Sequence, residues 1–383
     1  MNATTYDAIV IGGGTMGSAA AWELGKRGLR ALALEQFSIP HAFGSHGGQT
    51  RVIRHAYAES PDYVPLVRRA DQLWQELEAA AGRQILVRCG GLELAAPGYR
   101  HAARARVAAV EHGIAHEWLA PAEVNRRWPG VAVPDDWEAL FSADAGFLLT
   151  EPAIASMADQ ARRLGVDVRE REPVVDWSAD GAGVRVITAN GTYRADRLIV
   201  AAGAWSSRLL ADLAIPLEVR RKTLFWLAVA DPAPYRPESL PVFISDSPLG
   251  EIYGFPLFDR AGLKIANHAG GLPTTPDAVD RAVHPGEERD VVALARLLFR
   301  GVGPAVVDST VCLYTVTPDG DFVIDRHPAQ PQIAIGAGFS GHGFKFATAV
   351  GEALVDLAVD PAAQPLPRLS LARFAATGAR PEA

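Results

Sequence analysis

At 383 residues the chain is too long for one ordinary hydrophobic core, and two domains are the natural expectation. Hydrophobic residues make up 49% and charged residues 21% of the chain, which is typical of a globular protein. The net charge of −7 and the absence of Lys/Arg runs argue against a nucleic-acid-binding surface, and no window approaches the roughly 20 apolar residues of a membrane span.

The first predicted elements are a buried strand over residues 6–11, a glycine-rich turn and an alanine-rich helix that ends near residue 27. The turn has the pattern G-x-G-x-x-G. Gly12 permits the tight turn, Gly14 allows the backbone to approach a pyrophosphate, and Gly17 allows the helix to pack closely on the strand. The helix N-terminus at Thr15 and Met16 supplies N–H donors to phosphate groups. This order of elements predicts a dinucleotide-binding turn.

A second predicted strand, residues 31–34, ends on Glu35, which is placed to accept hydrogen bonds from a ribose diol. Because an acid at this position disfavours a 2′-phosphate, FAD or NAD is expected and NADP is not. The first strand begins within a few residues of Met1, so we expect no signal peptide and a cytoplasmic location.

Residues 44–57 form a glycine-rich segment that carries Arg51 and Arg54, three positions apart. Two guanidinium groups at this spacing can project together and bind anions, such as a flavin or a substrate carboxylate. A solvated basic face at the start of a helix would have the same spacing. Glu59 fits a partner for these cations, although a solvated loop acid would look the same.

The remaining chain mixes helices with strands. Lys264 and His268 flank a short predicted strand, Cys312 and Tyr314 begin another, and Lys345 opens the last long helix. Predicted elements are helices at 65–81, 102–112, 151–164 and 341–359, a strand pair around 89–95, strands near 166 and 184, a strand at 198–202 that breaks at Gly203, an antiparallel sheet within 217–311, and strands at 322–325 and 333–338. The predicted cofactor domain comprises 1–85, 146–216 and 312–383, and the predicted substrate domain 86–145 and 217–311.

Several of these segments together resemble the monomeric sarcosine oxidase and N-methyltryptophan oxidase family, over essentially the whole chain. The matching runs are residues 44–57, 253–256, 262–268, 311–314 and 338–346. The resemblance implies an α/β fold, with a glutathione-reductase-like FAD-binding Rossmann domain and an antiparallel-sheet substrate domain. It also implies a flavin attached through a cysteine sulfur and oxidative demethylation of a secondary-amine amino acid by O2. The products in that family are formaldehyde, the primary amine and hydrogen peroxide.

The same resemblance implies roles for individual residues. Cys312 matches the flavin-linking cysteine, and Lys264 matches a lysine that stabilises the charge developing on O2. Arg54 and Lys345 match the pair that binds the substrate carboxylate. His268, Tyr253 and Tyr314 match residues around the substrate amine, and Arg51 matches a residue that stabilises anionic flavin. The implied cofactor-binding set is Gly12, Gly14, Thr15, Met16, Gly17, Glu35, Ser45, Thr50, Arg51, Gly203, Cys312, Gly341, Gly343, Phe344 and Lys345.

The chain departs from the family pattern at three positions. Gly47 replaces a histidine and Gln49 replaces an aspartate beside the flavin, which puts the rate of covalent attachment in doubt. Ile244 replaces a pocket methionine, and because a β-branched side chain is stiffer, the shape of the substrate pocket is expected to differ.

Other readings remain open from the sequence. The same fold serves an oxidase of cyclic imino acids or sugar-modified amino acids, or a dehydrogenase that passes electrons to a partner. A flavin-dependent RNA-modifying protein is disfavoured by the acidic charge, and a non-enzymatic flavoprotein by the number of polar pocket residues. The two cysteines, Cys89 and Cys312, give neither a disulfide framework nor metal-binding spacing, so no metal is expected. Without coiled-coil heptads, a monomer is favoured.

Overall fold

The computed structural model describes residues 5–376, with side chains as far as Phe374. In chain order the strands are β1 (Thr5–Ile11), β2 (Ala31–Leu34), β3 (Thr50–Ile53), β4 (Leu86–Arg88), β5 (Gly91–Ala95), β6 (Glu117–Leu119), β7 (Glu138–Ser142), β8 (Gly146–Leu149), β9 (Asp167–Arg169), β10 (Val174–Asp180), β11 (Gly183–Thr188), β12 (Gly191–Val200), β13 (Glu218–Val229), β14 (Val242–Ser247), β15 (Gly250–Phe255), β16 (Leu263–Asn267), β17 (Leu272–Pro273), β18 (Val302–Val316), β19 (Val323–His327) and β20 (Gln330–Ala337). The helices are α1 (Thr15–Lys26), α2 (Val64–Ala81), α3 (His101–Glu111), α4 (Pro121–Arg127), α5 (Thr150–Arg163), α6 (Ser206–Leu209), α7 (Arg289–Leu298), α8 (Ala347–Val359) and α9 (Ala372–Ala376).

The first sheet has a parallel centre, in which β9, β2, β1, β12 and β20 lie side by side. The hairpin β10–β11 extends it antiparallel to the first half of β12, and β19 pairs antiparallel with β20. Ala8 and Val10 of β1 belong to a core formed with α1, α5 and α8, whereas Ile9 and Ile11 belong to a core on the opposite face. Because both faces are covered, β1 is apolar along most of its length, as expected for a buried parallel strand.

The second sheet is mostly antiparallel, with strands in the order β17, β13, β16, β15, β14, β5, β7 and β6, and with β18 also paired to β13. Successive side chains of a strand point to opposite faces. On one face Leu92, Phe225, Phe243, Ile252 and Ile265 pack with α7 into a separate hydrophobic core. The other face carries polar residues. The predicted α/β class, with a Rossmann-type sheet and an antiparallel-sheet region, is therefore confirmed.

A third, small sheet joins β3, β8 and β4. Its existence corrects the predicted strand pair around residues 89–95, because β4 pairs with β8 whereas β5 pairs with β14 and β7. The pairing was predicted because two short apolar runs are adjacent in the sequence. The strands with which they pair lie far away along the chain. Within residues 5–376, each helix is too short or too polar to cross a lipid bilayer.

Two further differences concern the C-terminal part. Cys312 and Tyr314 lie near the end of the 15-residue strand β18 rather than at the start of a strand. The predicted helix from Gly341 begins at Ala347, after a single 3-10 turn that contains Lys345. The division into two domains stays a prediction, and its boundary between 311 and 312 falls inside β18, which pairs with β13 from Val302 to Val316.

A partly buried charge network links the small sheet to α2. The two ring nitrogens of His55 lie 2.6 Å from Asp144 Oδ2 and 2.9 Å from Asp71 Oδ2. Arg88 donates to Asp71 and to the backbone carbonyl of Asp144. Burial lowers the pKa of His55, but the hydrogen bonds to Asp144 and Asp71 outweigh it and raise the pKa to about 9. The imidazolium form is therefore favoured by the folded state.

We expect His55 to contribute stability that is complete below its unfolded-state pKa of about 6.5 and that is lost as the pH rises through about 9. The His55→Gln variant should therefore be less stable than the parent at pH 6, by about 3 kcal/mol at most, and the difference should shrink towards pH 10. Urea unfolding from pH 6 to pH 10 measures this. The matched control is His284→Gln, which removes an exposed His–Asp pair of 2.6 Å. A parent–variant difference at His55 that does not change with pH would contradict the assignment.

Candidate active site

A large cavity lies at the carboxyl ends of the parallel strands, the edge at which α/β proteins bind ligands. Its open volume is about 1210 Å³, and Ile11, Leu34 and Ala201 at or just beyond the strand ends form part of its wall. Predicted site residues that line it are Gly12, Gly14, Thr15, Met16, Glu35, Ser45, Arg51, Gly203, Tyr314, Gly341, Gly343 and Phe344.

The glycine-rich turn presents bare backbone to this cavity. Gly12 has a φ of +98°, and a Cβ there would lie 2.5 Å from the Ala201 carbonyl oxygen, so only glycine fits. At Gly17 a Cβ would lie 1.6 Å from the Gly12 carbonyl oxygen, which accounts for the close helix–strand packing. Gly14 caps α1 without a side-chain hydrogen bond and has open space where a Cβ would stand. The first-turn N–H groups of α1 therefore remain suited to bind an anion.

Glu35 closes the far end of this turn. Its Oε2 accepts a hydrogen bond from the Gly13 N–H at 2.7 Å, and its Oε1 accepts one from the Phe37 N–H at 2.8 Å. Burial raises the pKa of Glu35, and these backbone donors oppose the shift. Each carboxylate oxygen retains acceptor capacity towards the cavity.

A smaller cavity, with an open volume of about 520 Å³, adjoins the first one. Arg51, Gly341 and Phe344 line both cavities and so form a shared wall. The other residues around the smaller cavity are Val52, Arg54, Glu59, Ile244, Glu251, Tyr253, His268, His342 and Lys345. A molecule the size of an amino acid in the smaller cavity would therefore lie directly against the contents of the larger one.

Arg54 is the most deeply buried cation of the smaller cavity, with 3% of its surface exposed. Its Nη2 donates to both oxygens of Glu59 at 2.8 Å, and its Nη1 donates to the Ala56 carbonyl oxygen. The Nε lies 3.5 Å from Glu93 Oε1 and makes no hydrogen bond with any described residue. Burial lowers the pKa of Arg54, but Glu59 and Glu93 outweigh it, so the guanidinium stays charged and keeps one free donor.

Lys345 lies beside Arg54, and the ring of Tyr57 lies under both cations at 5.1 Å and 4.6 Å. Its Nζ donates to the His342 carbonyl oxygen at 2.9 Å. Burial and repulsion from Arg54 lower the pKa of Lys345 to about 7, with Glu59 opposing. A negatively charged ligand in this cavity would restore the ammonium form.

Two histidines line the same cavity in neutral form. Burial lowers the pKa of His268 to about 4 and that of His342 to about 3. The Nδ1 of His268 lies 3.4 Å from the Tyr314 hydroxyl oxygen, which itself lies 3.4 Å from the Tyr253 hydroxyl oxygen. The side chains of His268, Tyr253 and Tyr314 therefore add polar groups around the smaller cavity without adding charge.

One face of the second sheet supplies several of the predicted site residues. In the strand pairing Glu93 lies opposite Ile244, Ile244 opposite Tyr253, and Phe255 opposite Lys264. Lys222 lies opposite Cys312 on the neighbouring pair of strands. Directly paired residues share a face. Predicted residues from β14, β15, β16 and β18 thus all point away from the hydrophobic core on the opposite face.

Lys264 is buried against the segment that leads to Arg51. Its Nζ donates to the carbonyl oxygen of Thr50 at 2.9 Å, to the Thr50 hydroxyl at 2.8 Å and to the Gly48 carbonyl oxygen. Burial lowers the pKa of Lys264 well below its ordinary value, and Arg51 adds repulsion. These three hydrogen bonds therefore fix the position of the Lys264 side chain.

Cys312 is 1% exposed and lies near four cations, Arg51, Lys264, Lys222 and Arg281. Burial raises the pKa of its thiol above the ordinary value, and the four cations only reduce this shift. A Cβ on Gly47 would lie 3.9 Å from the Cys312 Cβ, an ordinary van der Waals contact, so Gly47 lies directly beside Cys312.

The family model described as FAD dependent oxidoreductase matches residues 7–357 of the chain. The chain belongs to this family. Two similar curated proteins are the monomeric sarcosine oxidase of Arthrobacter sp. (strain TE1826), 40% identical with 92% of both chains covered, and the N-methyl-L-tryptophan oxidase of Yersinia pestis (strain Pestoides F), 35% identical with 96% of this chain and 99% of the relative covered. A solved structure of NikD, an unusual amino acid oxidase, shares the fold with a TM-score of 0.82 at 24% identity, covering 96% of this chain and 97% of the other.

As an FAD dependent oxidoreductase, the protein requires a site for a dinucleotide, and the larger cavity fits one. The free N–H groups at the start of α1 suit the pyrophosphate, and Glu35 suits the ribose. Open space in front of Gly14 and Gly203 leaves room for close approach. The flavin end would then lie towards Arg51, Tyr314 and Phe344, beside the smaller cavity.

Four predicted residues of the flavoenzyme line neither cavity: Gly17, Thr50, Lys264 and Cys312. Gly17 packs α1 on β1, and Thr50 binds Lys264. Lys345, predicted also as a cofactor residue, lines only the smaller cavity. Of the predicted cofactor residues that do line the larger cavity, five are glycines, which present only backbone to it: Gly12, Gly14, Gly203, Gly341 and Gly343.

Sequence reasoning missed three charged residues, Glu93, His101 and Glu251. His101 Nε2 lies 2.5 Å from Glu93 Oε2, and its Nδ1 lies 3.7 Å from Glu251 Oε1. A signal was present for Glu93, since it is the one charged residue of the apolar run 91–95. Glu251 precedes Tyr253 by two positions, which places both on one face of β15.

Proposed function

We propose that this FAD dependent oxidoreductase demethylates N-methyl amino acids by oxidation, with O2 as the electron acceptor. The overall reaction consumes the secondary amine, O2 and water, and gives the primary amine, formaldehyde and hydrogen peroxide. The observation that carries the proposal is the wall that the two cavities share. Because of this wall, the smaller cavity with its buried cations lies directly beside the larger cavity, which fits FAD. The names of the curated relatives, a sarcosine oxidase and an N-methyl-L-tryptophan oxidase, support the same reaction.

Arg54 and Lys345 bind the substrate carboxylate in this proposal. The Nε of Arg54 is buried without a hydrogen-bond partner among the described residues, and such a donor is costly unless a ligand satisfies it. Lys345 has a pKa of about 7, which an arriving carboxylate would raise because opposite charge favours the ammonium form. The carboxylate thereby becomes the fixed end of the substrate, and the amine is directed towards the shared wall.

The neutral histidines keep the amine end reactive. Oxidation of an amine requires its lone pair, so the site must favour the uncharged amine. His268, with a pKa of about 4, adds no charge there, while Tyr253 and Tyr314 offer hydroxyl groups nearby. The bound flavin supplies the two-electron oxidation. Arg51, on the wall of both cavities, stabilises negative charge on the cofactor, and Lys264 stabilises negative charge on O2.

The proposed function is tested by adding sarcosine, other N-methyl amino acids, proline and a fructosyl amino acid to the purified holoenzyme without O2. Bleaching of the flavin by an N-methyl amino acid, followed by rapid recovery and peroxide formation in air, is the expected result. Slow recovery in air would point instead to a dehydrogenase. Bleaching only by proline or by the fructosyl amino acid would overturn the demethylase assignment.

We further propose that FAD is attached through Cys312. Burial raises the pKa of the Cys312 thiol, and four nearby cations oppose this shift and so act in favour of the thiolate that a thioether bond requires. After acid precipitation, the parent should retain its yellow colour in the protein pellet, and Cys312→Ser should release its flavin into the supernatant. The control is Cys89→Ser, whose thiol has a pKa raised to about 12 by burial and which should retain its flavin as the parent does. Free flavin from the parent itself would show that no covalent bond forms.

A further inference from the structure

Glu251 places a carboxylate in the smaller cavity with little to balance it. It is the second residue of β15, and 28% of its side chain is exposed, where it lines this cavity. Its carboxylate accepts no hydrogen bond from any described side chain. The nearest cationic atom, His101 Nδ1, lies 3.7 Å away, beyond hydrogen-bond distance.

The two cations nearest to Glu251, His101 and Arg54, are already paired with other acids, whereas Arg104 and Lys222 act on Glu251 without an ion pair within 4 Å. His101 makes its short contact, 2.5 Å, with Glu93. Arg54 is held by Glu59 at 2.8 Å and lies 3.5 Å from Glu93. Within ion-pair distance, these two cations therefore meet three carboxylates, those of Glu59, Glu93 and Glu251. Asp246, directly opposite Glu251 on β14, adds a further acid.

The electrostatic environment agrees with a poorly compensated carboxylate. Burial raises the pKa of Glu251 and outweighs the opposing effects of His101, Arg54 and Arg104, while Glu59 adds to the shift. Burial raises the pKa of Asp246 as well, and Glu251 adds to this effect. The other two cations that line the cavity are Arg51, on the wall shared with the larger cavity, and Lys345, which the proposed function assigns to the substrate carboxylate. A partly desolvated carboxylate without a partner is unfavourable, and a ligand that brings a positive charge would relieve it.

We propose that Glu251 determines specificity by binding a cationic group on the side chain of the substrate. The preferred substrates are then N-methyl amino acids with a basic side chain, such as an amine or a guanidinium. This inference rests on the proposed function, because it takes the smaller cavity as the substrate site. A neutral side chain leaves Glu251 unpaired, and an acidic one is repelled by it.

The test compares side chains of similar length on the holoenzyme: Nα-methyl-lysine, N-methylnorleucine and N-methylglutamate, with sarcosine as the reference. We expect kcat/KM for Nα-methyl-lysine to exceed that for N-methylnorleucine about tenfold, equivalent to about 1.4 kcal/mol. In Glu251→Gln this ratio should fall to about one. In Glu251→Lys the preference should turn to N-methylglutamate, a result that loss of folding cannot produce.

Glu218→Gln is the matched control, because Glu218 is exposed on β13 and pairs with Arg220. The control should keep the ratio of the parent. If Glu251→Gln lowers kcat/KM equally for Nα-methyl-lysine and N-methylnorleucine, the ratio stays unchanged and the proposal is overturned. The proposal is also overturned if the parent enzyme does not prefer Nα-methyl-lysine. Failure of the parent to oxidise sarcosine and N-methylnorleucine as well would instead overturn the proposed function.

Discussion

Replacing Arg54 with glutamine is expected to lower kcat/KM for sarcosine by about 10²- to 10³-fold. Removal of one partner from a buried charge pair typically costs about 2–5 kcal/mol, and each 1.4 kcal/mol corresponds to a factor of ten. The loss should be larger for a substrate that carries the carboxylate than for one that lacks it. Steady-state rates with sarcosine and with its neutral amide measure this difference in the parent and in Arg54→Gln.

Glu59→Gln provides the control for Arg54. It frees the guanidinium from the two hydrogen bonds of 2.8 Å without removing the positive charge. We expect this variant to retain the preference for sarcosine over the amide. Equal losses on both substrates in Arg54→Gln would contradict a role in carboxylate binding, because a damaged fold affects the two substrates alike. Thermal unfolding of each variant checks the fold directly.

Replacing Lys264 with methionine is expected to slow reoxidation of the reduced enzyme by O2 about 10²- to 10³-fold, the usual cost of losing a preorganised charge. Anaerobic reduction by substrate should change far less, because Lys264 lines neither cavity. Stopped-flow absorbance of the flavin separates the two half-reactions. The side chain is held by three hydrogen bonds to Gly48 and Thr50, so the position of its Nζ is fixed before O2 arrives.

Lys222→Met is a matched control on the same face of the sheet. Lys222 is also buried, and its Nζ donates to the carbonyl oxygens of His268 and Ala269. Burial lowers the pKa of Lys222 to about 8. If both methionine variants slow reoxidation equally, the effect belongs to the general positive charge of the region rather than to Lys264. If neither does, O2 activation by Lys264 is excluded.

The local parts of the fold could be predicted from sequence because their causes are local. The turn at Gly12 requires a backbone conformation that a side chain forbids, and the apolar runs of β1 and β12 follow from burial on both faces. The position of Cys312 was predicted less well. Its strand begins ten residues earlier, in a segment whose exposed residues give no clear alternation. Its partner strand β13 lies about 90 residues away, and pairing at that distance leaves no local signal.

The charged residues around the smaller cavity show a second limit of prediction from sequence. Arg54 and Lys345 could be singled out because their motifs are distinctive, but the charged residues around them, Glu93, His101 and Glu251, come from β5, α3 and β15. A buried glutamate is stabilised by whichever cation the fold brings to it, and tertiary structure alone decides that. Glu93 and Glu251 each occur in short strands whose sequence signal is dominated by apolar neighbours.

The two faces of the second sheet make the active site depend on residues that never touch a ligand. Phe243, Ile252 and Ile265 alternate with Ile244, Tyr253 and Lys264 along three adjacent strands. A slip of one residue in any of these strands would turn the site side chain into the core and the core side chain into the cavity. Packing of the hydrophobic face therefore fixes the strand register that points the site side chains towards the cavity. A change in a core residue of this face could alter the site without any change in a site residue.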